Sequence, residues 1–201
     1  MRQYVKCLTI AGSDSGGGAG IQADLKTMSA IGVYGMSAIT AVTAQNTVKV
    51  NDIYPIPSDI VASQINSVIE DIGCDAVKIG MLYSAEIVKA VASELKKFSL
   101  KNIILDPVLI STSNCELNKE DCIKAIINYL IPICSLITPN YDECYKLTGI
   151  KPTNWDNVHL ASKKFIEYGA EAVLIKGGHN IKGKYSIDYL LTDKGFEYYY
   201  K

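Results

Sequence analysis

An α/β fold on a mostly parallel sheet is what this sequence predicts, and three features predict it. Short apolar runs of strand character alternate with segments in which apolar residues recur every three or four positions, the period of a helix packed on one side. The distinctive glycine and polar positions fall just after the strand-like runs, at the edge where the loops of a parallel sheet converge on a ligand. Only the final stretch breaks this rhythm, and it reads as an antiparallel hairpin. At 201 residues the chain suits a single domain with a sizeable core, and neither linker nor internal repeat divides it.

Val5-Lys-Cys-Leu-Thr-Ile-Ala11 is the first strand. It breaks into a loop with glycine at 12, 16, 17, 18 and 20, after which Ile21, Leu25, Met28 and Ile31 mark one face of a helix. Met36 to Val42 reads as a buried strand ending in Thr43-Ala-Gln-Asn46. Pro55 and Pro57 punctuate the chain before a helix from about Ser58, with Val61, Ile65, Val68 and Ile72 at helical spacing. Asp75 to Gly80 is the next strand, a helix from Ser84 turns Ile87, Val91 and Leu95 inward, and Asn102 to Asp106 is a strand again. Asn118 can cap the following helix, with Ile123, Ile126, Ile127 and Leu130 facing the core. Ser135 to Thr138 is a strand stopped by Pro139, Asn140 to Gly149 a short helix, Val158 to Tyr168 a helix closed by Gly169, and Ala172 to Lys176 the most strongly β run. Tyr185 to Thr192, the turn Asp193-Lys-Gly195, and Phe196 to Tyr200 form the hairpin. Such alternation implies right-handed crossovers and a sheet covered on both faces, a three-layer α/β/α sandwich.

Lysine and arginine number 20 against 21 acidic residues, so no global field gathers nucleic acid or an anionic membrane surface. The longest apolar runs are strand-length, and the first residues lead into a strand without a signal-peptide core, so a cytoplasmic protein is expected. Six cysteines occur without any Cys-x-x-Cys, and the only histidines are His159 and His179. Buried free thiols are therefore the expectation, rather than zinc or disulfides.

Several motifs carry chemistry, each beside a plainer role. The glycine loop lets backbone N–H groups approach a ligand at a helix N-terminus, or it makes a tight strand-to-helix connection and nothing more. It fits neither common phosphate-binding pattern. Gln45 offers two donors and one acceptor on a planar head, suited to a heterocycle edge, or is an ordinary polar residue at a strand exit. Asp106, with Pro107 behind it, either accepts loop N–H groups or binds a hard cation. Asn140-Tyr-Asp-Glu143 has capping-box spacing. Lys176-Gly-Gly-His179 reads as a turn, and Tyr198-Tyr-Tyr200 as strand-forming sequence.

Gly12-Ser-Asp-x-x-Gly-Gly-Ala-Gly-Ile-Gln-Ala-Asp-Leu-Lys26 resembles the opening of the hydroxymethylpyrimidine and phosphomethylpyrimidine kinases of thiamine biosynthesis, members of the ribokinase-like superfamily. The resemblance continues through Gly35 to Asn46, Val77-Lys-Ile-Gly-Met81, Asp106-Pro-Val108, Thr138-Pro-Asn140 and Lys176-Gly-Gly-His179, and so spans essentially the whole chain. Gly16 departs from it, standing where a serine is expected. The resemblance implies phosphoryl transfer from ATP to the hydroxymethyl group of 4-amino-5-hydroxymethyl-2-methylpyrimidine and then to its monophosphate, with Mg²⁺ bridging phosphate oxygens. It assigns Gln45 to the pyrimidine, with Gly12, Asp24, Val42, Met81 and Val108 at or near the same pocket. It assigns Asn140, Lys176 and Gly178 to the nucleotide, and Asp106 and Glu143 to Mg²⁺. Homodimers occur in the family, so one is expected by analogy. A pyridoxal kinase is the nearest enzymatic alternative, and a pyrimidine-binding module without turnover is the alternative from another class. The resemblance also places a Gly-Thr-Gly-Cys or Gly-x-Gly-Asp type motif after the hairpin, supplying anion hole and catalytic residue. Its counterpart would lie beyond Lys201, so residues 1–201 are expected to be a C-terminally incomplete kinase domain without a catalytic residue of their own.

Overall fold

The computed structural model describes residues 4–109, 120–178 and 186–200. Asn118, His179, Tyr185 and Lys201, named above, and Cys115, one of the six cysteines, lie outside those residues. The strands are β1 (Lys6–Ala11), β2 (Tyr34–Ile39), β3 (Ala41–Gln45), β4 (Val50–Pro55), β5 (Ala76–Ile79), β6 (Ile103–Leu105), β7 (Leu136–Ile137), β8 (Val173–Ile175), β9 (Ile187–Thr192) and β10 (Gly195–Tyr200). The helices are α1 (Gly20–Ala30), α2 (Ser58–Asp71), α3 (Ala85–Lys97), α4 (Glu120–Ala125), α5 (Tyr141–Thr148) and α6 (Trp155–Glu167).

The main sheet runs in the order β10-β9-β8-β7-β6-β5-β1-β2. From β2 to β8 its neighbours are parallel, whereas β9 and β10 add antiparallel strands at one edge. The chain leaves β1 toward β2 on one side and later returns to β5 on the other. A crevice therefore opens between the carboxyl ends of β1 and β5, the switch point where such sheets take ligands.

Alternation along β1 sends Leu8 and Ile10 into one large core. There they join Val77 and Ile79 of β5, Val61 and Ile65 of α2, Ile87, Val91 and Leu95 of α3, and Phe165 of α6, all essentially without solvent contact. The other face of β1 presents Thr9 to α1, and Gly35 on β2 lets Leu25 and Met28 of that helix pack close against the backbone.

The apolar run Met36 to Val42 departs from expectation. It is two strands: Thr40 breaks it, and β3 leaves the main sheet to pair with β4 as a separate antiparallel flap. The buried Thr40 hydroxyl donates to the Met81 carbonyl at 2.7 Å, holding the chain where it changes sheets. Ile31, placed by periodicity on the buried face of α1, is instead the exposed residue that ends the helix. Helix α6 starts at Trp155, a turn earlier than expected, because the Asn154 side chain accepts from the Asn157 N–H. After α4 the chain widens through Ile126–Leu130 as a π turn and then tightens through Ile131–Ile133 as a 3₁₀ turn, burying Ile126, Leu130 and Ile131.

Phe165 is the largest fully buried side chain. Truncation by Phe165→Ala is expected to lower the unfolding free energy by about 3–5 kcal/mol. Urea titration followed by circular dichroism measures it, and a loss under 1 kcal/mol would mean that the α6 layer does not pack as described.

Candidate active site

The glycine loop is shaped by its own aspartate. Asp14, only 5% exposed, accepts through Oδ1 from the Gly16 N–H at 2.8 Å and through Oδ2 from those of Gly18 and Ala19 at 3.0 and 2.8 Å. Its own N–H is held by the Gln22 Oε1 at 2.7 Å. The N–H groups ahead of α1 are therefore already engaged by a carboxylate, so this loop is not an open phosphate cradle. Gly20 has to be glycine: its φ is +56°, and a Cβ there would strike the Gly12 carbonyl.

Two serines stitch the loop to the flap. The Ser13 hydroxyl accepts from the Thr43 N–H at 3.0 Å, while the Thr43 hydroxyl donates to the Ser13 carbonyl at 2.8 Å. The Ser15 hydroxyl donates to the Gln45 carbonyl at 2.6 Å and accepts from the Gln45 N–H at 2.8 Å. The backbone of Gln45 is thus fixed over the crevice, although it belongs to the flap and not, as the sequence suggests, to the edge of the main sheet.

Flap, loop and strand ends enclose a cavity of about 340 Å³, the size class of a small-molecule site. Gly12, Asp24, Gln45, Met81, Asp106 and Val108 all line it. At Gly12 a Cβ would occupy the place of the Met81 methyl, so the glycine makes room for that side chain. Val42 does not line the cavity. Alternation along β3 buries Ala41 and Thr43 and turns Val42 outward opposite Tyr54, where both are exposed, so Thr43 takes the cavity position expected of Val42.

Beside the cavity lies a second polar group. Asp106 Oδ1 receives Lys176 Nζ at 2.6 Å and the Thr138 hydroxyl at 3.3 Å. Lys176 bridges in register to Asn140, which opens α5 with the capping box its spacing predicts: Asn140 Oδ1 accepts from the Glu143 N–H and Glu143 Oε2 from the Asn140 N–H. Glu143 is 5% exposed, and burial pushes its carboxyl up to about 7 against the pull of the Asn140 N–H and the Lys176 ammonium. Gly178 is exposed in the turn after Lys176. The buried Asp188 on β9, unmarked by any sequence motif, accepts from the Gly177 N–H at 3.0 Å and steadies this turn.

Thr9 and Lys78 also escaped the sequence reading. Both stand inside strands that are otherwise apolar, and a charge in such a run is itself a signal. Among the described residues no group of three or more His, Cys, Asp or Glu side chains converges as a metal site, and no disulfide links the described cysteines to one another. Burial pushes the Cys122, Cys134 and Cys144 thiols up to about 12, which keeps them unreactive. No described helix is long and apolar enough to cross a membrane.

A mostly parallel sheet with helices, a cavity at its switch point and antiparallel strands at its C-terminal edge places the chain among the ribokinase-like α/β proteins. Solved structures agree. The chain superposes on a phosphomethylpyrimidine kinase from Clostridium difficile with a TM-score of 0.89 at 47% identity, covering 97% of this chain and 84% of that one. An ADP complex of Bacillus subtilis pyridoxal kinase matches with the same TM-score at 36% identity, covering 99% and 75%. In sequence, the hydroxymethylpyrimidine/phosphomethylpyrimidine kinase of Bacillus subtilis is 42% identical over 191 residues, 95% of this chain and 70% of that protein. The sequence profile of the phosphomethylpyrimidine kinases matches residues 14–201, and the chain belongs to that family.

Two variants test the geometry. Asp14→Ala strands three N–H groups, and the unfolding free energy should fall by roughly 2–4 kcal/mol; an unchanged urea midpoint would refute the loop's dependence on that carboxylate. Because burial raises Glu143, the folded state holds its proton at pH values where the unfolded chain has released it. With divalent cations chelated, wild-type stability should decline from about pH 4.5 to 7, by roughly 3 kcal/mol, and Glu143→Gln should flatten that decline. Parallel pH profiles for the two proteins would contradict the buried carboxyl.

Proposed function

We propose that this chain binds 4-amino-5-hydroxymethyl-2-methylpyrimidine and its monophosphate in the flap-closed cavity and phosphorylates them with ATP, as a kinase of thiamine biosynthesis. The observation that carries the proposal is the convergence of Gln45, Asp24, Met81 and Asp106 on one small cavity. Membership of a family whose members carry both pyrimidine names supports it.

The roles follow from residue chemistry. Gln45 and Asp24 meet the polar edge of the ring, the first as donor and acceptor, the second as acceptor alone. Met81 and Val108 hold its apolar face, with Gly12 leaving room for Met81. This points the hydroxymethyl group toward Asp106, where the nucleotide's terminal phosphate approaches from the side of Lys176, Asn140 and Gly178. Lys176 is a mobile point charge suited to phosphate oxygens. Asp106 and Glu143 are hard oxygen donors on the same side of the sheet, and one or two carboxylates are what Mg²⁺ needs beside phosphates and water, so they would hold the ion. When bound, the ion would supply neutralisation of phosphate charge. The residues given roles here bind and orient, and none is assigned proton transfer. Thiols without a disulfide among the described residues, three of them buried, fit a reducing compartment, and the proposal places the reaction in the cytoplasm. A homodimer remains our expectation from the family, and analytical ultracentrifugation reads it directly.

The likeness to pyridoxal kinase favours a second ring as a side substrate. Mass spectrometry of hydroxymethylpyrimidine incubated with the chain and Mg-ATP, with pyridoxal in parallel, is expected to show the phosphorylated pyrimidine as the faster product. Gln45→Ala should weaken pyrimidine binding at least tenfold. Binding without product would leave a pyrimidine-binding module; no binding by a folded chain would overturn the reading.

A further inference from the structure

Lys78 stands in the middle of β5 between Val77 and Ile79, both fully buried. Its register partner on β1 is Thr9, so lysine and threonine lie side by side on the sheet face that carries α1. Asp24 on α1 receives both: its Oδ2 accepts from the Thr9 hydroxyl at 2.6 Å and from Lys78 Nζ at 2.9 Å. Asp24 Oδ1 makes no hydrogen bond to any described residue, and both Asp24 and Lys78 line the cavity, their side chains 18% and 26% exposed.

We propose that Lys78 is a positioning residue and sets ring specificity: with Thr9 it anchors Asp24 through one oxygen, so that the other is presented to the ring as a fixed acceptor for an N–H group. This rests on the pyrimidine reading given above. A ring with an amino group beside its hydroxymethyl arm satisfies the free oxygen. A ring that turns a lone pair there leaves a half-buried carboxylate oxygen unpaired, which a polar site rejects strongly.

The identity of the cation matters to the argument. An ammonium is a point donor and here occupies a single oxygen, whereas a guanidinium offers two parallel N–H groups and engages both oxygens of a carboxylate. Arginine at position 78 would keep the charge balance yet take Oδ1 from the ligand. A lysine that merely neutralised a buried carboxylate would be replaceable by arginine.

The test is calorimetric binding of hydroxymethylpyrimidine to wild type, Lys78→Met, Lys78→Arg, Asp24→Asn and the double variant Lys78→Met/Asp24→Asn, each checked for folding by thermal unfolding. Lys78→Met and Lys78→Arg are both expected to weaken binding at least tenfold, and Lys78→Met should add no further loss once Asp24 is asparagine. Wild-type affinity in Lys78→Arg or Lys78→Met, or fully additive losses in the double variant, would overturn the proposal. Should Lys78→Met fail to fold, Thr9→Val releases the same oxygen without changing charge. It is expected to weaken binding several-fold, and unchanged affinity would overturn the proposal. A folded wild type that binds no hydroxymethylpyrimidine would overturn the substrate reading and this inference with it; wild-type binding with indifferent variants overturns this inference alone.

Discussion

Asp14 accepts hydrogen bonds from three backbone N–H groups of its own loop, and most of the cavity follows from that arrangement. A loop so rich in glycine has many conformations to lose on folding, and buried hydrogen bonds to a charged acceptor are among the few local interactions strong enough to select one. With the loop fixed, Ser13 and Ser15 face the flap in the register that captures Thr43 and Gln45. The flap in turn brings Gln45 over the crevice between β1 and β5. The same carboxylate removes the α1 N-terminus from the set of groups available to phosphate. Under the proposed function, the nucleotide's phosphates are then expected farther along the edge, on the side of Lys176 and Asn140. One buried aspartate thus both shapes the cavity and occupies the N–H groups ahead of α1.

Much of this was legible in the sequence where a local rule decides the outcome. The capping box at Asn140 and Glu143, the helix stop at Gly149 and the terminal hairpin depend on neighbours a few residues apart, and they fold as their spacing says. The convergence of Gly12, Gln45, Met81 and Asp106 on one cavity followed from their positions after strands. What escaped was decided at long range. Met36 to Val42 is interrupted only by the small polar residues Ser37 and Thr40, so no periodicity marks the change of sheet at Thr40. The break comes from a buried hydroxyl finding the carbonyl of Met81, 41 residues away in sequence. Val42 and Thr43 could not be told apart as cavity residues before the pairing of β3 with β4 set which one faces inward. Ile31 looked buried because helical spacing says nothing about where a helix ends.

The polar side chains on the α1 face of the sheet raise a separate question, since a parallel strand needs none. Burying an ion pair costs each partner its hydration, and apolar residues of similar size commonly do as well or better for stability. The pair formed by Lys78 and Asp24 is only partly exposed, whereas that of Lys176 and Asp106, with side chains 38% and 27% exposed, is open enough to water that its worth to folding is below about 1 kcal/mol. Stability therefore does not account for either pair. Both stand beside the cavity at the switch point, through Asp24 and Asp106 of its lining, and each leaves an oxygen of its carboxylate without a partner among the described residues. A half-satisfied carboxylate next to a cavity costs least when a ligand completes it. The two pairs are better explained as the unfinished halves of a binding site than as braces of the sheet.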